Sequence, residues 1–337
     1  MRQIIISGAL SLLAILLIPT GQAGDDARQI SNEIPQASIT SISPETQMPN
    51  PAETGSPAAP DGHTVRLLCG DTLLQQDETS YLCCVLLSEM PASFEPEALS
   101  AQCVAARTFF YRQARTGKHP GADVCTQSSC CQAWTSVAEL KEKFGNDYDA
   151  VMEKALRAVM QTQGEVMTYD GALIDATYFS CSGGRTEDAL AVWGTDMPYL
   201  RSVESFGEEA APRYESRVEF SPDELAQLLC SVDTALILPE NPEAWLGAVS
   251  YTGGDGVATM EIGNASFSGV QLRRILGLNS TQFTAAFENG AFIFDVKGFG
   301  HRVGMSQYGA NFMAQQGYTY RQILQYYYSG VTIETLT

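Results

Sequence analysis

Four times along this chain a Ser or Thr stands three residues ahead of a Glu or Gln at the head of a helix-forming run. The four are Ser136-x-x-Glu139, Ser221-x-x-Glu224, Ser268-x-x-Gln271 and Thr319-x-x-Gln322. The spacing is that of a capping box, in which the hydroxyl and the acid or amide satisfy two orphan N–H groups reciprocally. Hairpin signals lie between these helix starts. Asp170-Gly171 separates two extended runs, "EVMTY" and "ALIDATYFS", and Gly263-Asn264 splits "VATMEI" from "ASF". Helices alternating with hairpins, without regular βαβ units, predict an α+β fold. Its helices and β-hairpins surround one cleft, and a smaller α+β module is inserted at about residues 215–282. In the second strand of the first hairpin, Ala172, Ile174, Ala176, Tyr178 and Ser180 are expected to share one face.

The ends and the composition bound what such a chain does. Residues 1–23 carry an early arginine, an apolar run from Ile4 and the small-x-small "GQA", which reads as a signal peptide or signal anchor. Residues 24–62 are rich in Pro, Ser, Thr and Ala and poor in large apolar residues, so they read as a disordered tether. The folded domain is then 63–337. Thirty-nine acids against 20 bases give a net charge of −19, which argues against nucleic acid and anionic lipid as partners. Export would favour disulfides, but nine cysteines with two vicinal pairs, Cys83-Cys84 and Cys130-Cys131, show no full disulfide framework.

One carboxylate stands out. Glu89 follows the apolar "YLCCVLLS", and Pro91 stops the chain two residues later. It is either the last-turn residue of a helix with its head in water, or a half-buried carboxyl whose raised pKa suits a general acid. Four further stretches carry chemistry-bearing residues: "AQCVAARTF", "SCSGGRTE", "VWGTDMPYLRSVES" and "GFGHRVGMSQYGA".

In this order the five stretches resemble the stage II sporulation protein D family, over about residues 64–335. "SEMPASFEPEALSAQCVAARTFFY" is similar to its Glu-Met-Pro segment and following helix, with Cys103 where Ala is usual. "YFSCSGGRTE" is similar to its Ser-x-Ser-Gly-Gly-Arg-Thr-Glu stretch. "GHRVGMSQYGA" is similar to its glycine-rich histidine loop, with Arg302 replacing a glycine. The resemblance implies a peptidoglycan lytic transglycosylase with Glu89 as the catalytic acid. It implies substrate-binding roles for Arg107, Tyr178, Ser180, Gly183, Gly184, Arg185, His301 and Gln307. Trp193 and Tyr199 either stack on sugars or serve as core aromatics. The implied partners are a peptidoglycan glycan strand, a cell-wall amidase and membrane proteins of the engulfment complex. The implied place is extracytoplasmic, facing the septal space from the mother-cell membrane. Two rivals remain: a non-catalytic peptidoglycan-binding module and a zinc-dependent cell-wall hydrolase.

The segment "KHPGADVCTQSSCCQAW" holds His119, Cys125 and Cys131, borderline-soft ligands suited to Zn2+. The spacing is wider than in zinc fingers and is equally consistent with a disulfide plus a surface histidine. The family resemblance implies zinc on these three residues, with water or Cys181 in the fourth position.

Overall fold

The computed structural model describes residues 64–336; the expected export segment and tether lie outside them. Among the described residues no helix is long and apolar enough to cross a membrane. The fold is α+β, with helices and several small sheets and no barrel.

All four capping boxes form, each with both reciprocal bonds in place. The helix Glu78–Glu89 starts differently: the Asp77 carboxylate accepts the Ser80 N–H at 2.9 Å. Its run from Tyr81 to Leu87 is buried without a break, because neighbouring elements cover it on every side. The longest of those neighbours is the helix Pro96–Thr116, which begins with proline and ends at Gly117 in the left-handed conformation. These two helices centre the larger apolar core. The helix Glu78–Glu89 therefore ends with Glu89 emerging from the core at its last turn, and Met90 leaves in an extended conformation.

The Asp170-Gly171 turn closes as the sequence predicts. Both residues have positive φ, 50° and 76°, and Thr168 and Tyr169 pair with Leu173 and Ala172. The expected continuous second strand does not form. Pairing stops at Leu173, and Tyr178–Phe179 pairs in parallel with Met305–Ser306 in another sheet. A change of partner breaks the strand. Asp175 donates its N–H to the Tyr199 hydroxyl, and the Thr177 carbonyl accepts from the Met305 N–H and the Tyr328 hydroxyl.

A second apolar core gathers Leu225, Leu229, Trp245, Phe292 and Phe294. Trp245 stacks on Phe292 at 5.0 Å between ring centroids. The strand Ala291–Lys297 lies at the centre of its sheet, between Glu215–Phe220 and Gln282–Glu288. This core therefore draws on residues well past 282.

Candidate active site and metal centre

Glu89 opens into a pocket of about 370 Å3. Three separate pieces of chain meet it there. Tyr178 and Ser180 come from the short parallel pairing just described. His301 comes from the glycine-rich loop, and Gln307 is the first residue of the helix Gln307–Gln315. That helix is placed by Ser306, whose hydroxyl accepts the Gly309 N–H at 3.1 Å. Five of the residues singled out in the sequence are thus brought together. Glu89 is the one carboxyl among the residues lining this pocket.

Burial raises the pKa of Glu89 above the ordinary carboxylate value. The Ala133 N–H and the Gln307 amide oppose that shift without cancelling it. The Ala133 N–H donates to Oε1 at 2.6 Å, and no ion pair reaches this carboxyl among the described residues. Gln307 Nε2 is buried with no fully formed hydrogen bond. His301 sits under aromatic cover, with Phe179 and Trp193 at 5.7 and 5.3 Å between centroids. Burial pushes its pKa down to about 4, with Arg273 adding to the effect. Near neutral pH the ring is therefore uncharged. Its Nδ1 accepts the Val303 N–H at 3.1 Å, which leaves the ring proton on Nε2.

Sequence reasoning missed the segment 132–135, which holds the carboxyl in place. Gln132 accepts the Tyr178 hydroxyl at 2.7 Å and donates to Tyr81 and to the Ala106 carbonyl. Ala133 binds Glu89, and Thr135 accepts from Ser88 at 2.9 Å. A backbone N–H has no sequence signature. The neighbouring cysteines were the available pointer.

The remaining predicted residues lie elsewhere. Arg107 does not face the pocket. It is 1% exposed and is held by Glu78 at 2.8 Å and by the carbonyls of Thr162 and Glu165, so it ties helices to a strand. The Gly183 and Gly184 backbone does not offer free donors either. The N–H groups of Ser182, Gly183 and Gly184 all converge on Glu208 Oε2, which fills the anion nest they form. Arg185 pairs with Glu204 and Asp255. Tyr199 packs in the larger core, near Tyr169, while Trp193 is 40% exposed at the rim over His301. Arg302 keeps the left-handed backbone that a glycine would favour, at φ 66°. Its buried guanidinium offsets that strain by bonding Ser182 O at 2.6 Å, Arg185 O at 2.8 Å, Gly254 O and Glu187.

Beside the pocket, the ligand atoms of His119, Cys125, Cys130 and Cys131 lie within 4.8 Å of one another. The short strand Val124–Cys125 pairs alongside Leu67–Leu68, which fixes Cys125. A turn in which Cys130 and Cys131 both donate to the Gln127 carbonyl brings in the vicinal thiols. His119 Nε2 is 3.3 Å from the Cys131 sulfur and 3.7 Å from that of Cys130. Three thiols and an imidazole at this separation fit a metal that prefers tetrahedral sulfur and nitrogen ligands. Cys130 takes the place that the sequence reading left to water or Cys181. Cys181 lies apart, bridged to Phe299 through the backbone. None of the nine thiols is paired in a disulfide. Cys131 also lines the Glu89 pocket, so the His/Cys cluster and the carboxyl share a wall.

A family model described as "Stage II sporulation protein" matches residues 74–169, a span that includes Glu89, Arg107 and the whole His/Cys cluster. The chain is 39% identical over 256 residues to Stage II sporulation protein D of Bacillus subtilis (strain 168), covering 75% of this chain and 73% of that protein. It is also 39% identical to Stage II sporulation protein D of Bacillus amyloliquefaciens, over 257 residues and the same shares. A more distant likeness, 28% over 307 residues, is to the Amidase enhancer of Bacillus subtilis (strain 168); it covers 74% of this chain and 39% of that protein.

Proposed function

The chain belongs to the stage II sporulation protein D family, and on that premise we propose that it is a peptidoglycan lytic transglycosylase acting during sporulation. The reaction cleaves the β-1,4 bond between N-acetylmuramic acid and N-acetylglucosamine. One observation carries the reading: the pocket has a single carboxyl, Glu89, and its pKa is raised by burial. Ordinary glycosidases need two carboxylates flanking the bond, one of them to activate water or attack the sugar. A lytic transglycosylase needs one. Protonated Glu89 gives its proton to the departing glycosidic oxygen as the bond to the anomeric carbon breaks. The resulting carboxylate then takes the proton from the muramoyl 6-hydroxyl as that oxygen closes on the same carbon. The product is a 1,6-anhydro ring, no water is consumed, and Glu89 ends protonated as it began.

The neighbours support that cycle. The Ala133 N–H steadies the carboxylate stage without an ion pair that would hold Glu89 permanently ionised. Tyr178 is oriented by Gln132, and neutral His301, tied to the Tyr178 backbone, lines the pocket beside it. His119, Cys125, Cys130 and Cys131 would hold Zn2+, which when bound supplies a cross-link for the loop leading into Gln132 and Ala133. The preferred substrate is glycan stripped of stem peptides. A partner amidase and an extracytoplasmic position at the septum follow from the same family reading.

The test is to digest peptide-free glycan with the full chain and weigh the products. Anhydromuramoyl ends, each lighter by one water than a hydrolysis product, are the expected outcome. Reducing-end muramic acid would overturn the proposal in favour of hydrolysis.

A further inference from the structure

A second and larger concavity, of about 670 Å3, lies on the sheet formed by Glu215–Phe220, Gln282–Glu288 and Ala291–Lys297. The hairpin of strands Leu246–Tyr251 and Val257–Ile262 contributes Tyr251 and the turn residue Asp255 to its lining. Small-molecule pockets are mostly apolar with a few polar groups. In this groove five of the eleven lining residues are charged: Glu215, Arg217, Asp255, Asp295 and Lys297. Two of its three acids are each matched by a base of the lining, Asp295 by Arg217 at 2.7 Å and Glu215 by Lys297 at 3.7 Å, while Asp255 lies 3.8 Å from Arg185, which it shares with Glu204. The surface is thus dense in donors and acceptors yet locally close to neutral. Such a surface selects neither a polyanion nor a polycation. It suits an uncharged, many-hydroxyl ligand. Tyr251 adds an aromatic side chain that is 59% exposed, a platform with an apolar face and a polar tip. Sugar rings present the same combination, apolar faces and polar edges.

The groove and the Glu89 pocket are joined by short, stiff connections. Lys297 lines one and Phe299 lines the other, two residues along the same chain and so at most about 7 Å apart. Gly183 fits against the groove wall so closely that a Cβ there would come within 2.3 Å of Gln282 Oε1 and 2.9 Å of Lys297 Cβ. The buried Arg302 bonds both Gly254, in the groove's hairpin, and Ser182, in the loop behind the pocket. Relative motion of the two concavities would break these contacts.

We propose that the groove is a distal subsite for the glycan strand, gripping it some sugars away from the bond being cleaved. This rests on the transglycosylase reading and extends it: the enzyme would read strand length, and binding energy far from the reacting atoms would hold the strand in register. The proposal requires a polymer and predicts a length preference that the Glu89 pocket alone does not give.

The experiment uses the full chain carrying Glu89→Gln, so that binding proceeds without turnover, with peptide-free octasaccharide and tetrasaccharide glycans as probes in calorimetry. The octasaccharide is expected to bind more tightly. In the Tyr251→Ala variant of this protein the ratio of the two affinities falls about tenfold, equivalent to about 1.4 kcal/mol. Tyr251→Phe, which keeps the ring, preserves most of that ratio. Thermal unfolding of each variant checks that the fold is intact; substitution at so exposed a position is expected to leave it so. An unchanged ratio in Tyr251→Ala, or equal affinities for both lengths in the starting protein, overturns the subsite. A length-dependent, Tyr251-dependent affinity combined with reducing-end products from the uninhibited enzyme would overturn the transglycosylase reading and leave the groove standing.

Discussion

At the scale of the residue, Glu89 joins the proposed chemistry to a cost in stability. Its pKa is higher folded than unfolded, so the native state holds this proton more tightly. The favourable contribution is complete below the ordinary carboxylate pKa and is lost as pH rises through the raised value. At neutral pH the protein therefore carries the cost of a partly buried carboxylate. Glu89→Gln removes that cost and keeps an oxygen for the Ala133 N–H. The variant is expected to lose cleavage by about 10²–10⁴-fold or more, as loss of a general acid–base group does. It should also melt at a higher temperature than the parent at neutral pH, with the gain shrinking on acidification. Scanning calorimetry across pH, beside product analysis, checks both. A variant less stable at neutral pH would mean that the carboxylate is favourably held. His301 works in the opposite direction: with its pKa at about 4 against 6.5 unfolded, it takes stability away as pH falls through that window. The two groups therefore oppose each other as pH changes: acid favours the native state through Glu89 and disfavours it through His301.

At the scale of the element, the segment from His119 to Thr135 has almost no regular structure of its own, only the short strand Val124–Cys125. A cross-link through its His and Cys side chains would help hold the Ala133 N–H against Glu89. The full chain, prepared without chelators, is expected to carry about one Zn2+. Cys131→Ser should lower metal content and melting temperature together, because metal binding to such a site contributes to folding. Cys130→Ser should do the same, in a smaller degree if water can take its place. Glu89→Gln should leave metal content untouched. Metal-free protein with a mass two units per bridge below the fully reduced chain would instead identify a disulfide. The helices and turns in this protein were far more legible than this loop. Four capping boxes and the Asp170-Gly171 turn involve residues within four positions of one another, so local chemistry sets them. The break after Leu173 was not legible, because it depends on Met305 and Tyr328, more than a hundred residues away.

At the scale of the whole molecule, two apolar cores meet through buried polar contacts rather than through a shared apolar face. Arg302 and Glu187 sit at that junction, 0% and 1% exposed and 3.4 Å apart. Glu187 also accepts from Thr252 and the Gly256 N–H, so the hairpin of the second core is held by the same carboxylate. Arg302→Ala strands that carboxylate and is expected to cost about 3–5 kcal/mol, the usual penalty for breaking a buried pair. Calorimetry should show it as a lower or divided unfolding transition; a shift of less than a degree would mean that the junction does not couple the cores. By itself the sequence determined the α+β class, the helix starts, the first hairpin turn, and the set of motifs that includes Glu89, His301, Gln307, His119, Cys125 and Cys131. Those depend on neighbours in the chain or on residue chemistry. Only the tertiary structure decided that Arg107 is a buried tie, that Glu208 occupies the glycine nest, that Cys130 joins the cluster of His119, Cys125 and Cys131, and that Ala133 faces Glu89. Each of these is a contact between segments far apart in sequence, and local spacing carries no record of which distant group will arrive to satisfy a buried charge or a free N–H.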